Sequence, residues 1–103
     1  IVPQWEPQLR QIYVYYNPEW IDAYMKAMSF KWDDAIKLWS AIIDEKNSKI
    51  TSAAAYNIAL ACEMSGRLEL ALQWLAYSYK VLPSDDVLKY KLLIEAEIEK
   101  KEK

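Results

Sequence analysis

Apolar residues recur at intervals of three and four over most of this chain, which is the pattern of helices that bury one face. Trp20, Ala23 and Ala27 share one such face, and the same spacing returns further along the sequence. The pattern predicts five helices, which cover about residues 18–29, 32–45, 51–65, 68–82 and 87 onward.

The breaks between these stretches carry residues that start or stop helices. Asn17 followed by Pro18 is typical of an N-cap and a first helical position. Gly66, the only glycine, is expected to end the third helix in a left-handed conformation, and the run Ser84-Asp85-Asp86 is expected to cap the last helix. The charged end at 99–103 is expected to be solvated and frayed.

The N-terminal segment, residues 1–17, has a less decisive pattern. Pro3 and Pro7 oppose an uninterrupted helix. The β-branched and aromatic run at 11–16 fits a strand, while a stripe that begins at Leu9 fits a helix. We expect an irregular segment that packs its aromatic side chains onto the helices.

The chain also repeats itself once, at a spacing of 36 residues. The stretch 28–36 aligns with 64–72, and the register extends back to Ala23 and Ala59. A fixed period of this size is typical of stacked helical units that cannot bury their apolar faces alone. It divides the chain into an aromatic N-terminal segment, two repeat units and a capping helix, at 1–17, 18–49, 50–85 and 86–103.

Residues 52–85 resemble one tetratricopeptide repeat, a helical hairpin of about 34 residues. The resemblance rests on Y-N-I-A at 56–59, Gly66 at the turn, Ala71 in the second helix and Pro83 at the end. It implies that small side chains lie where the two helices of the hairpin cross, and that the proline closes the repeat.

Residues 16–49 look like a more divergent copy of the same repeat. Ala23 and Ala35 hold the crossing positions that Ala59 and Ala71 hold in the second copy. The final helix resembles the capping helix that follows the last repeat of such domains. The resemblance therefore implies an all-α fold, an antiparallel array of helical hairpins with about two repeats and a C-terminal capping helix.

Two features depart from the family pattern. Phe30 stands where the second copy has its turn glycine, Gly66. Two repeats are also fewer than the three or so that such stacks need for stability. We therefore expect the end near residues 1–30 to pack against upstream sequence or against another copy of the chain, as a homo-oligomer would.

Charge and hydropathy exclude some classes of partner. The net charge of −2 argues against a nucleic-acid partner. No apolar run reaches the ~18–20 residues that a membrane-spanning helix needs, so we expect no membrane span in this segment.

The residue types also argue against an enzyme. There is no histidine, so Cys62 has no imidazole partner and the usual zinc ligand is missing. A single glycine is incompatible with a glycine-rich phosphate loop. The acid pairs Asp33–Asp34 and Asp85–Asp86 lie at helix starts, where the helix dipole explains them. We expect no catalytic residue, no metal site and no cofactor.

In a tetratricopeptide-like array the first helix of each hairpin lines a concave groove. An aromatic and Met-lined groove suits an apolar peptide, but it equally suits burial under residues 1–17, and Trp5, Tyr13, Tyr15 and Tyr16 are the side chains that could fill it. The candidate groove residues are Trp20, Tyr24, Ala53, Tyr56, Asn57, Leu60, Glu63 and Met64.

Asn57 is the most distinctive of these residues, and two interpretations apply to it. Its amide could bond backbone groups between helices. The resemblance alternatively implies a clamp on a partner's C-terminal carboxylate, for which Lys91 is the one matching position that keeps a positive charge.

A second resemblance bears on the compartment. W-D-x-A-I-x-x-W at 32–39 and the run at 54–66 look like the C-terminal region of Bacteroides-type lipoproteins, which implies the cell envelope. Because the sequence begins Ile-Val-Pro, we expect a processed protein or, in preference, an excised C-terminal domain. The leading hypothesis is a non-catalytic protein-interaction or scaffold module. The alternative is a carbohydrate-binding or nutrient-uptake helper of an envelope lipoprotein.

Overall fold

The predicted helices are present in the computed structural model, which describes residues 12–102. The described part of the chain is all-α and contains no strand. Each helix packs against the next one in chain order, and connections of three to five residues reverse the chain between them, so that the helices form antiparallel hairpins. The helices are α1 (Pro18–Met28), α2 (Trp32–Ile42), α3 (Ser48–Met64), α4 (Leu68–Val81) and α5 (Asp85–Lys101).

The connection between α2 and α3 differs from its predicted position. The Asn47 side chain accepts a hydrogen bond from the Ile50 N–H at 3.1 Å, which caps α3 three residues earlier than the apolar pattern indicates. The Thr51 hydroxyl accepts a bond from the Asp44 N–H at 3.1 Å and donates to the Asp44 carbonyl oxygen. These local polar bonds hold the chain in a turn just after α2 ends.

The C-terminal helix also departs from the expectation. The Ser84 side chain accepts from the Val87 N–H at 3.2 Å, so that α5 begins at Asp85. The helix then continues to Lys101, and its last turn is exposed. The charged end, expected to be frayed, is therefore helical over most of its length.

Helix α3 is the centre of the core. Every residue from Thr51 to Cys62 is buried, because α2 and α4 cover it on two sides and its many alanines permit close approach. Two buried hydroxyls, those of Ser52 and Ser78, lie 2.8 Å apart and each also donates to the other residue's carbonyl oxygen, which ties α3 to α4. The four small residues predicted to lie at helix crossings, Ala23, Ala35, Ala59 and Ala71, are all fully buried.

The two hairpin turns have the same backbone geometry, although one carries an aromatic residue. Phe30 has φ 61° and Gly66 has φ 81°, both in the left-handed region. Each turn is closed by a bond from the following N–H to the carbonyl five residues back, which is a Schellman C-cap. These bonds are Lys31 to Lys26 at 2.9 Å and Arg67 to Cys62 at 2.7 Å.

This geometry predicts opposite effects for exchanging the two turn residues. Gly66→Ala should lower the free energy of unfolding by about 1 kcal/mol, because a Cβ is costly at positive φ although open space surrounds it. Phe30→Gly should raise the free energy of unfolding by up to about 1 kcal/mol, because glycine adopts a positive φ without the cost that a Cβ brings. Urea unfolding of the whole chain measures both.

Phe30→Ala is the matched control, because it keeps the left-handed cost and removes only the ring that contacts Trp32. It should give no gain in stability. If Gly66→Ala is neutral, or if Phe30→Gly and Phe30→Ala have the same effect, the left-handed backbone does not determine the stability of these turns.

Candidate functional site

An extended stretch of chain, Ile12–Tyr16, lies across the N-terminal halves of α1, α3 and α5, and we call it the internal segment. It is neither helix nor strand, and three of its side chains pack partly buried against the core. A cleft of about 170 Å³ runs beside it, lined by Tyr13, Tyr15, Lys49, Ser52, Ala53, Leu82, Ser84 and Val87.

A single buried amide fixes the backbone of the internal segment. Asn57 lies in the middle of α3 and is 0% exposed. Its Oδ1 accepts a hydrogen bond from the Tyr13 N–H at 2.9 Å, and its Nδ2 donates to the Tyr13 carbonyl oxygen at 2.7 Å. A primary amide has both a donor and an acceptor, so it can pair with one residue as a neighbouring β-strand would. These two bonds are independent of the side chain that Tyr13 carries.

From Tyr13 to Tyr16 the side chains alternate between the groove and solvent, while Ile12 is also half-buried against the core. The Tyr13 ring meets Tyr56 edge-on with a centroid distance of 5.1 Å, and the Tyr15 ring meets Trp20 at 4.8 Å. Val14 is 44% exposed and Tyr16 is 99% exposed. This period of two is typical of extended backbone.

Aromatic rings continue from the internal segment towards α5. Tyr56 lies between Tyr13 and Tyr90, with a ring-centroid distance of 5.1 Å to each. The Tyr90 hydroxyl donates to the carboxylate of Glu63 on α3. Burial raises the pKa of Tyr13, and the negative charge of Asp86 adds to this effect. The groove therefore holds Tyr13 as a neutral phenol among aromatic neighbours.

The internal segment contacts three of the predicted groove residues, Trp20, Tyr56 and Asn57, and it lines a cleft with a fourth, Ala53. Tyr24 is exposed, and Glu63 and Met64 are half-buried. The sequence left open whether residues 1–17 fill the groove; Tyr13 and Tyr15 lie in it, whereas Tyr16 points to solvent, and Trp5 lies outside the described residues. The predicted groove residues that the structure buries are Trp20, Ala53, Tyr56, Asn57 and Leu60.

The two interpretations of Asn57 have different outcomes. Its amide bonds backbone, but the backbone belongs to the internal segment and not to a neighbouring helix. Lys91, the cation that a carboxylate clamp would use, pairs with Glu95 on its own helix at 3.5 Å. The geometry at Asn57 therefore suits the middle of an extended chain better than a chain terminus.

A second cleft lies beside α4, next to the residue that follows α2, and shares no lining residue with the first. It has a volume of about 340 Å³. Trp74 and Tyr77 form one wall, with their rings nearly perpendicular and 5.9 Å apart. Sequence reasoning missed this cleft because it followed only the first helix of each hairpin, although the spacing of these two aromatic residues on α4 was a usable signal. The lining residues are Ile43, Leu70, Gln73, Trp74 and Tyr77.

Helix α1 carries an apolar surface on its outer side. Its inner face buries Trp20, Ala23 and Ala27. The outer surface of α1 and the turn that follows it expose Ile21, Tyr24, Met25, Met28 and Phe30.

The possible metal ligands and the cysteine of the described residues lie apart from one another or are buried. Within 12–102, no group of three or more His, Cys, Asp or Glu side chains could hold a metal ion. Cys62 is buried, and burial raises the pKa of its thiol, which disfavours the reactive thiolate. Over the same residues, no helix combines the length and the apolar character that crossing a membrane requires.

Comparison with known proteins gives one match. Residues 21–98 match the family model described as a domain of unknown function, DUF6340. The match spans all of α2, α3 and α4 and most of the two outer helices. No curated protein and no solved structure matches the chain.

Proposed function

We propose that this chain, which belongs to the DUF6340 family, is a non-catalytic protein-interaction module that holds an extended peptide segment against α1, α3 and α5. The observation that carries the proposal is the pair of hydrogen bonds between Asn57 and the backbone of Tyr13. Backbone bonds of this kind give affinity for any extended chain, while pockets for alternate side chains give specificity.

Burial of the Asn57 amide adds a thermodynamic argument. The amide is 0% exposed with the internal segment in place, so its two bonds to backbone form out of contact with solvent. Each such bond contributes about 0.5–1.5 kcal/mol net, because an empty groove would exchange it for a bond to water. An extended backbone at Asn57 therefore adds to the stability of the fold. The same bonds would stabilise any extended peptide that lies in the groove at Asn57.

We also assign the two hairpins to a tetratricopeptide-like array. The 36-residue spacing and the equal geometry of the turns at Phe30 and Gly66 support this assignment. Arrays of this kind present the first helices of successive hairpins on one concave surface. In this chain α1 and α3 correspond to such helices, and α5 follows them in the next position. The assignment thus agrees with the position of the internal segment.

A second candidate function is carbohydrate binding, as a helper domain of an envelope lipoprotein. The observation that favours it is the cleft lined by Trp74 and Tyr77. Aromatic faces can pack against the C–H faces of a sugar ring, and the amide of Gln73 at the same cleft can bond hydroxyl groups. This candidate uses a separate cleft, with no lining residue in common with the first, so the two functions can be separated by mutation.

The outer side of α1 supports a third element of the proposal, a scaffold role through self-association or contact with upstream sequence. Monomeric proteins rarely leave large contiguous apolar patches exposed. The exposed side chains of Met25, Met28 and Phe30 lie close together in sequence at one end of the hairpin stack.

Peptide display on the whole chain tests the interaction function. Selected peptides should bind and should shift the NMR signals of the Asn57 side-chain amide, Met64 and Tyr90. Trp74→Ala is the control and should leave peptide binding unchanged. Failure to select any peptide, or selection of peptides that shift only signals of the Trp74 cleft, would contradict the proposal.

A glycan array read by tryptophan fluorescence tests the second candidate. If the Trp74 cleft binds sugars, binding should quench fluorescence and Trp74→Ala should lower the affinity at least tenfold. Trp32→Phe removes a tryptophan outside the cleft and should keep the affinity. Absence of glycan binding, or equal binding by Trp74→Ala, would eliminate this candidate.

Light scattering coupled to gel filtration tests the role of the α1 surface. The whole chain should elute with more than the mass of one copy, because burial of apolar area favours association. Met25→Lys with Met28→Lys should restore the monomer, whereas Lys80→Met on α4 should not. A wild-type chain that stays monomeric at high concentration would rule out self-association through this surface.

A further inference from the structure

We propose that the internal segment, Ile12–Tyr16, is a built-in competitor for the groove. The partner that displaces it is an extended segment of another protein with aromatic side chains two residues apart. This inference rests on the proposed interaction function. It adds the class of ligand and the competition within the chain that regulates binding, and the contacts of the internal segment define both of these.

The ligand class follows from the register that Asn57 imposes. The amide fixes the backbone of residue 13, and that residue directs its ring against Tyr56. The next inward position is residue 15, whose ring packs on Trp20. The residue between them, Val14, is half exposed and meets no comparable pocket. A ligand therefore needs an aromatic residue at each of two positions that are two residues apart. The groove does not restrict the side chain at the position between them.

The local structure permits the internal segment to leave. Helix α1 has its own N-cap beyond the segment, where the Asn17 side chain accepts from the Trp20 N–H at 3.1 Å. The helix therefore does not need the segment in order to begin. The internal segment has no helix or strand pairing. Its backbone is held by the two bonds between Tyr13 and the Asn57 side chain, and by a local bond from the Asn17 N–H to the Tyr15 carbonyl oxygen at 2.9 Å.

Exchange with a partner conserves the contacts that would otherwise be lost. Departure of the segment alone would exchange the bonds of the Asn57 amide for bonds to water and would expose the faces of Tyr56 and Trp20. An incoming extended segment with aromatic residues at the same two positions restores both kinds of contact. The open groove is therefore a minor state, which an incoming segment converts to an occupied one.

Competition within the chain sets the apparent affinity. A tethered segment acts at an effective concentration in the millimolar range, so it weakens binding of the same sequence added from outside. Weakening the internal segment should strengthen binding in trans. Asn57 variants are unsuitable for this test, because they weaken the internal and the external ligand together.

The experiment uses the whole chain and a labelled peptide of its own residues 12–17, acetylated and amidated. The Tyr13→Ala/Tyr15→Ala chain should bind this peptide at least tenfold more tightly than the wild-type chain, as measured by fluorescence anisotropy. The matched control, Val14→Ala/Tyr16→Ala, alters only outward positions and should bind as weakly as wild type. A peptide with both inward tyrosines changed to alanine should not bind.

Two results would overturn the inference. One is equal affinity of the Tyr13→Ala/Tyr15→Ala and wild-type chains for the peptide. The other is a wild-type dimer that the peptide converts to monomer, because the occupant would then be the segment of a second copy. If selected peptides of other sequence bind the Tyr13→Ala/Tyr15→Ala chain while the 12–17 peptide does not, the interaction function stands and this inference fails.

Hydrogen exchange of the wild-type chain tests the displacement without any variant. The Tyr13 amide should exchange much faster than the buried amides of α3, under conditions where the helices stay protected, because the segment opens locally. Equal protection of the Tyr13 amide and the α3 amides would mean that the segment leaves only on global unfolding. That result would overturn the inference even if the Tyr13→Ala/Tyr15→Ala chain failed to fold.

Discussion

The pairing of the Asn57 amide with the backbone of Tyr13 is the interaction on which the functional surface depends. It joins two residues 44 positions apart and lies in the middle of α3, the most buried helix. Because the amide offers one donor and one acceptor, it pairs with both backbone groups of Tyr13 and fixes where the internal segment lies. The aromatic contacts of Tyr13 and Tyr15 follow from the position of that chain.

The helical framework supports this pairing by presenting α3 at the centre of the stack. Alanines at Ala59 and Ala71 let α3 and α4 approach closely, and the Ser52–Ser78 hydroxyl pair ties the same two helices. The turns at Phe30 and Gly66 set both hairpins with one backbone geometry. The same turn geometry, used in both hairpins, thus helps to build a groove that neither hairpin provides alone.

Apolar spacing and cap residues were sufficient to predict the helices, the all-α class and the burial of the crossing alanines. They misplaced the boundary between α2 and α3, because the Asn47 cap and the Thr51–Asp44 bonds are polar contacts that apolar periodicity does not contain. The run at 12–16 fitted strand and helix equally, and a distant partner, Asn57, makes it extended. The Trp74 cleft was missed because the predicted groove used only the first helix of each hairpin, whereas four of the five residues that line the cleft lie on α4.

Solution NMR of the whole chain offers the most direct test of the central claim, that Asn57 holds the internal segment. The account predicts nuclear Overhauser contacts from the Tyr13 amide proton to the Asn57 side-chain amide protons, and from the Tyr13 ring to the Tyr56 ring. It also predicts extended-chain chemical shifts for residues 13–15. Random-coil shifts for these residues, with no contact to α3, would contradict the account.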